Sequence, residues 1–312
     1  MSEVLNSDAE SVETPAVETP VAATTDTTAT ESAAPAPMAR ALAPADGDVP
    51  LEDLLKAGVH FGHLTSRWNP QMKPFIFMAR EGIHILDLMQ TQERLKEAAE
   101  AATTFARQGK RILFVATKKQ ARDAVRNHAE ESGMPFMVER WYGGTLTNFQ
   151  TIRGSISRME ALKRMEVDGT YDQLKKKERL MRTREREKLE NVLEGIADLN
   201  RLPGALFVVD INREHIAVDE ARKLGIPIIA LVDTNTNPNL VDFPIPANDD
   251  AIRSVDLIAG VISAAIQAGT TQQEIARESR QSADDKRKAD LKEIAAAAAE
   301  GREAEVDPTD EA

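Results

Sequence analysis

His60 and His63 stand three residues apart in VHFGHLTSRWNP, and imidazole nitrogens at such a spacing can open a metal site. Gly62 between them argues against a firm helix, and no third ligand is near in sequence. Packing, hydrogen bonding or stacking on RNA therefore explains the pair better, and neither a metal nor a cofactor is expected. The residues that follow, Arg67, Trp68, Asn69 and Lys73, fit an RNA-facing loop: aromatic rings stack on unpaired bases and cations hold phosphates.

A second candidate is RWYGGTLTNFQTIR, Arg140 to Arg153. Its paired glycines suggest a phosphate-cradling loop. The chain lacks both the G-x-x-x-x-G-K-[ST] spacing and a G-x-G-x-x-G opening a helix after the first strand. Gly143 and Gly144 read more simply as a hinge, with Asn148 capping the helix that follows. Arg140, Trp141 and Arg153 flank this hinge and are expected to hold RNA there, with packing of the joint the alternative for Trp141.

Beyond the hinge the bases concentrate. From Arg140 to Lys188 thirteen Lys or Arg face seven Asp or Glu, with Trp141, Tyr142, Phe149 and Tyr171 among them. The candidates are Arg158, Lys163, Arg164, Lys175, Lys176, Lys177, Arg179, Arg182 and Arg184. No large apolar residue lies between Met181 and Leu189, so that stretch has little to bury and much to offer a polyanion. The competing reading is a solvated helix face laced with i,i+4 pairs such as Glu178 with Arg182.

The third candidate is DTNTNPNLVDFPIP, Asp233 to Pro246, which follows a strand and so lies at the carboxyl edge where α/β sheets bind ligands. Asp233, Asp242 and Asp249 could ligate magnesium. Asn and Pro density explains the same stretch as ordered turns. No Ser-His-Asp arrangement or paired-carboxylate site can be picked out.

Composition narrows the classes. The 312 residues contain no cysteine, which excludes disulfides, Cys-type zinc sites and thiol catalysis. No N-terminal apolar segment of signal type and no run of about 18 apolar residues is visible, so the chain reads as cytosolic with no membrane partner. The net charge of −12 resides in the tails. Residues 1–50 carry nine acids and one base, residues 270–312 twelve and seven, and the middle is close to neutral. Acidic tails repel phosphate, so they are expected to stay in solvent or to contact basic neighbouring proteins.

The elements that must position these residues follow from periodicity. Residues 1–49 are expected to be a disordered acidic extension and 270–312 a charged, mostly disordered tail, helical at first. Strands are expected at 83–88, 111–116, 135–138, 205–210 and 226–232. Three of these are nearly continuous apolar runs, as in parallel strands buried on both faces. Helical spacing covers 91–108, 119–132, 213–224 and 249–268, with Gly109, Gly133 and Gly225 placed to end helices. The fold class is therefore α/β, a mainly parallel five-stranded sheet flanked by helices, flavodoxin- or Rossmann-like, over 50–147 and 203–269. Between these parts, 148–202 shows no strand signal. Ile152, Ile156, Met159 and Leu162 form one stripe and Leu189, Val192, Ile196 and Leu199 another, predicting an inserted antiparallel coiled-coil hairpin.

LLKAGVHFGHLTSRWNPQMKPFIFMAREGIHILDL, RWYGGTLTNFQTIR and PGALFVVDINREHIAVDEARKLGIPIIALVDTNTNP together resemble the bacterial small-subunit ribosomal protein two family, in its order and spacing from about Leu51 to Gly269. The chain departs from that pattern at Asn235-Thr236-Asn237-Pro238 and in its long acidic N-terminal extension. The resemblance implies a non-catalytic, cytoplasmic protein of the ribosome. It would bind small-subunit ribosomal RNA and neighbouring ribosomal proteins at the junction of head and body on the solvent side. The resemblance also implies help in recruiting the large mRNA-binding ribosomal protein number one. Two other classes remain open on the residues alone: a doubly wound enzyme using the Asp233 to Asp250 edge with a nucleotide or sugar phosphate, and a protein-interaction module using the hairpin or a helix face.

Overall fold

The computed structural model describes residues 44–169 and 174–303, with the side chains of the last helix described through Ser282 and at Asp284, Arg287 and Lys288. Most of the expected acidic extension, together with Tyr171 and the last nine residues, lies outside the described residues.

The three nearly continuous apolar runs become β4 (Ile112–Val115), β6 (Ala205–Val209) and β7 (Ile228–Val232), in which every residue is buried. They form the centre of a five-stranded parallel sheet, flanked at its ends by β5 (Phe136–Met137) and β8 (Phe243–Pro246), in the order β5-β4-β6-β7-β8. Successive side chains of a strand point to opposite faces, so each strand feeds two cores. Phe114, Phe207, Val209, Ile229 and Leu231 join one cluster with residues of α2 (Leu88–Arg107), α3 (Lys119–Glu131) and α7 (Ile252–Glu303). Leu113, Val115, Leu206, Val208 and Ala230 join the other with α6 (His215–Leu224) and with α4 (Phe149–Val167). α1 (Leu51–Ala57) packs on α2 and α7.

Gly109, Gly133 and Gly225 take left-handed φ values of 73°, 64° and 67° immediately after α2, α3 and α6, which is why helices stop there. Because β4 leads to β5 on one side and β6 pairs on its other side, the carboxyl ends of β4 and β6 form the crevice where strand order reverses.

Two strand expectations are corrected. IHILDL contributes β3 (Ile83–Leu86) to a separate antiparallel sheet of order β1-β3-β2, with β1 (Phe61–Leu64) and β2 (Ile76–Arg80). The fifth parallel strand is FPIP, β8, read from sequence as turn because two of its four residues are proline. The last helix also exceeds its expected range of 249–268 and continues to Glu303. Its stretch Ile252–Ser282 is long and apolar enough to cross a membrane by length and composition, contrary to the expectation of no such run, and 56% of the apolar window is buried inside the protein. Val255, Ile258, Ala259, Ile262 and Ile266 of this helix are fully buried core residues, which accounts for its apolarity.

Between β5 and β6 the chain leaves the sheet through α4 and returns through α5 (Lys176–Leu193). Ile152, Ile156, Met159 and Leu162 are buried, as are Leu193, Ile196 and Leu199, while Leu189 and Val192 are half-buried against the same cluster. Three ion pairs join the two helices, Arg158 to Glu185, Lys163 to Glu190 and Arg186 to Glu166. Leu180 and Met181, further from the sheet along α5, are exposed.

Candidate nucleic-acid interface

The turn before α4 is built around a residue that sequence reasoning missed. Glu220, on the buried face of α6, accepts from the backbone amides of Gly144 at 2.7 Å, Leu146 at 2.9 Å and Thr147 at 2.9 Å. It also accepts from Thr147 Oγ1 at 3.1 Å and Trp141 Nε1 at 3.2 Å. The Gly-Gly turn thus does cradle an anion, but the anion is the chain's own carboxylate. Burial pushes the Glu220 carboxyl up, and the amide and indole donors more than offset it, leaving it below its ordinary value. The available signal was a glutamate among Ala217, Val218 and Ala221 on the apolar face of a helix.

The flanking residues take separate roles. Trp141 is buried at the joint, with its indole N–H on Glu220. Gly144 needs its glycine for a φ of 92°, whereas a Cβ at Gly143 would meet open space. Asn148 occupies the N-cap position, but its side chain caps no backbone amide and instead accepts from Thr151 Oγ1 at 2.9 Å. Arg153 is tied to Asn200 through the carbonyl and side-chain oxygens, at 3.1 and 3.3 Å. Arg140 is exposed with no bonded partner for its side chain among the described residues.

The cations of the arm divide likewise. Arg158 and Lys163 reach across to Glu185 and Glu190 at 2.5 and 2.7 Å. Lys163, with Arg186, holds the Glu190 carboxyl below its ordinary value. Arg164 pairs with Glu160, and Arg182 pairs with Glu185 rather than Glu178. Arg179 is exposed on α5. Lys175, Lys176, Lys177 and Arg184 are exposed and carry no ion-pair partner among the described residues.

In the first loop, Arg67 and Lys73 are exposed, and Trp68 keeps 37% of its surface open while its ring lies 5.3 Å from that of His84. Asn69 caps the 3₁₀ turn Pro70–Phe75 by accepting from the Gln71 amide at 2.9 Å, and its own amide donates to the Thr234 carbonyl.

The two histidines part company. His60 rests on the Phe61 ring, and burial lowers its pKa. His63 turns to the sheet edge, where its Nδ1 lies 3.0 Å from Asp233 Oδ2 and its Nε2 3.5 Å from Asp250 Oδ2. Gly62 permits the approach, since a Cβ there would fall 2.5 Å from Thr234 Cγ2 and 3.1 Å from the His84 carbonyl oxygen. His63, Asp233 and Asp249 offer ligand atoms within 4.8 Å of one another, so the missing further ligands come from the loops after β7 and β8. One imidazole and two carboxylates suit a divalent ion such as zinc. Of the three aspartates considered from sequence, Asp242 stays apart and accepts from the Ile228 amide.

Lys118 Nζ lies beside this cluster, 2.7 Å from Asp249, 2.6 Å from Asp250 and 3.6 Å from Asp210. Burial, then the charges of Asp233 and Asp210, pushes the Asp249 carboxyl up to about 7, against the pull of Lys118. The hydrogen bond that His63 donates to Asp233 is the largest influence on its pKa and raises it. Glu214, raised by burial, accepts from the Thr117 amide and hydroxyl.

The family model described as ribosomal protein S2 matches residues 54–269. The chain is 61% identical over 235 residues to the small ribosomal subunit protein uS2 of Salinibacter ruber, covering 75% of this chain and 73% of that one. It is 58% identical over 223 residues to the protein of the same name from Chlorobaculum tepidum, covering 72% and 90%, and 52% identical over 248 residues to that of Parabacteroides distasonis, covering 80% and 89%. The matched span takes in the parallel sheet, the arm and the His63 cluster, and the chain belongs to the ribosomal protein S2 family.

Proposed function

We propose that the chain is a structural constituent of the small ribosomal subunit that binds ribosomal RNA through the arm formed by α4 and α5, assisted by the Arg67 to Lys73 loop. Family membership makes it a structural protein rather than an enzyme. The observation that carries the RNA-binding reading is the row Lys175, Lys176, Lys177 and Arg184, exposed and without ion-pair partners among the described residues. Each cation that neutralises a phosphate releases condensed counterions. The two apolar stripes and the cross-helix ion pairs support an antiparallel coiled-coil hairpin for this arm. The resemblance in sequence supports a place at the head-body junction on the solvent side of a cytoplasmic ribosome, beside other small-subunit proteins. It likewise supports a part in recruiting the large mRNA-binding protein.

The test is a salt titration of binding to a small-subunit ribosomal RNA transcript, with the parent chain and with Lys175, Lys176 and Lys177 all changed to Ala. Affinity of the parent should fall by about 10³ or more between roughly 50 and 200 mM salt if six or more phosphates are contacted. The triple variant should bind more weakly and with a shallower salt slope, with its unfolding midpoint unchanged. A salt-insensitive affinity overturns the reading.

A further inference from the structure

We propose that Glu220 is the positioning residue of the arm: its buried carboxylate, seated in the turn before α4, fixes the direction in which the arm leaves the sheet. The functional consequence of this latch rests on the arm being the RNA-binding element; the latch itself does not.

The geometry divides the five donors between the two carboxylate oxygens. Oε1 takes the Gly144 amide and the Trp141 indole N–H. Oε2 takes the amides of Leu146 and Thr147 and the Thr147 hydroxyl. An unpaired amide shielded from water is costly, so three amides converging on one side chain, that of Leu146 buried and those of Gly144 and Thr147 partly buried, tie the turn to whatever holds that side chain. What holds it is α6, whose Ala217, Val218 and Ala221 are buried against the sheet. One carboxylate therefore ties the turn to α6, beside the apolar packing of Ile152 and Ile156 on the sheet. The other candidate for this task, Asn148, stands at the helix start, but its side chain caps no backbone amide. No Lys or Arg is bonded to the carboxylate among the described residues, so amide, indole and hydroxyl dipoles compensate its charge.

Glutamine is nearly isosteric with glutamate, but its amide group offers one acceptor oxygen where two are needed, and turns N–H donors toward donors on the other side. Glu220→Gln should leave the sheet folded while loosening the turn. Glu220→Ala should loosen it further.

The chain has no cysteine, so a spin-label pair can be placed on the full-length protein through Gln108→Cys on the body and Glu187→Cys on α5, both at exposed positions. Pulsed electron resonance should give a narrow label-to-label distribution with Glu220 present. The distribution should broaden and shift with Glu220→Gln, at unchanged circular dichroism. An unchanged distribution in a folded Glu220→Gln chain overturns the proposal. Should that variant fail to fold, hydrogen exchange on the unsubstituted chain decides. The amides of Gly144, Leu146 and Thr147 should exchange slowly, and exchange at the rate of an open loop overturns the latch.

Binding to a small-subunit ribosomal RNA transcript should weaken by roughly tenfold with Glu220→Gln, the scale of one charge-assisted hydrogen bond. A broadened distribution with undiminished affinity supports the latch and removes the arm from the RNA interface, so the two readings fail separately.

Discussion

Asp249 is costly to ionise in the folded protein. Its carboxyl is buried and its pKa is raised from 3.8 to about 7, so the folded protein favours the neutral form more than the unfolded chain does. Stability from this preference is full below pH 3.8 and is lost as pH rises through about 7. Asp249→Asn removes the titration and should raise the unfolding midpoint of the metal-free protein at pH 8 while changing it little at pH 4. The ceiling is about 4 kcal/mol, less whatever attraction to Lys118 is given up. A zinc ion held by His63, Asp233 and Asp249 would reverse the ranking at pH 8, because ligation needs ionised carboxylates and a neutral His63. At zinc one hundredfold above its dissociation constant the parent should gain about 2.7 kcal/mol that Asp249→Asn does not. Calorimetry at both pH values, with zinc or with a chelator, checks this; an Asn variant less stable than the parent at pH 8 under chelation would contradict it. From sequence His63 was read as a packing, hydrogen-bonding or RNA-stacking residue, because no third ligand stood near it. Its neighbours lie far along the chain: the adjacency of β7 and β8 brings Asp233 and Asp249 together, and the packing of the Gly62-His63 backbone on Thr234 brings His63 to them.

Among the elements, α4 and α5 divide into a half that packs and a half that does not. The apolar stripes were readable because burial follows helical period, and the structure buries Ile152, Ile156, Met159 and Leu162 as that period requires. Which bases are spent on ion pairs was not readable, since Arg158 and Lys163 find their partners across the helix pair and not along one helix. The consequence is a separation of effects within one arm. Ile156→Ala should cost about 2 to 5 kcal/mol of stability. Arg158→Ala or Lys163→Ala should each cost under about 1 kcal/mol, because both pairs are substantially exposed. Neither ion-pair change should alter the salt slope of RNA binding in the way expected of the Lys175 to Lys177 substitutions. Denaturant unfolding beside salt-dependent binding for the same variants separates these cases, and a shallower slope with Lys163→Ala would place that side chain on phosphate instead.

At the scale of the whole molecule, strands with continuous apolar runs declared themselves, and the strand with prolines did not. β8 was hidden because its local composition is that of a turn, while its place in the sheet is decided by pairing with β7. That pairing bears on how the free chain behaves before it meets a partner. The Ala247 amide donates to the Val232 carbonyl, so by alternation Ile245 also faces β7, and the outward positions fall on Pro244 and Pro246. At the opposite end β5 is only two residues long and follows Pro135. Both borders of the sheet are therefore poor templates for another strand. Two copies of the chain are thereby hindered from pairing edge to edge. Changing Pro244 and Pro246 to Thr should restore outward donors and increase light scattering at high protein concentration, and scattering no greater than the parent's would show that the prolines have no such guarding effect.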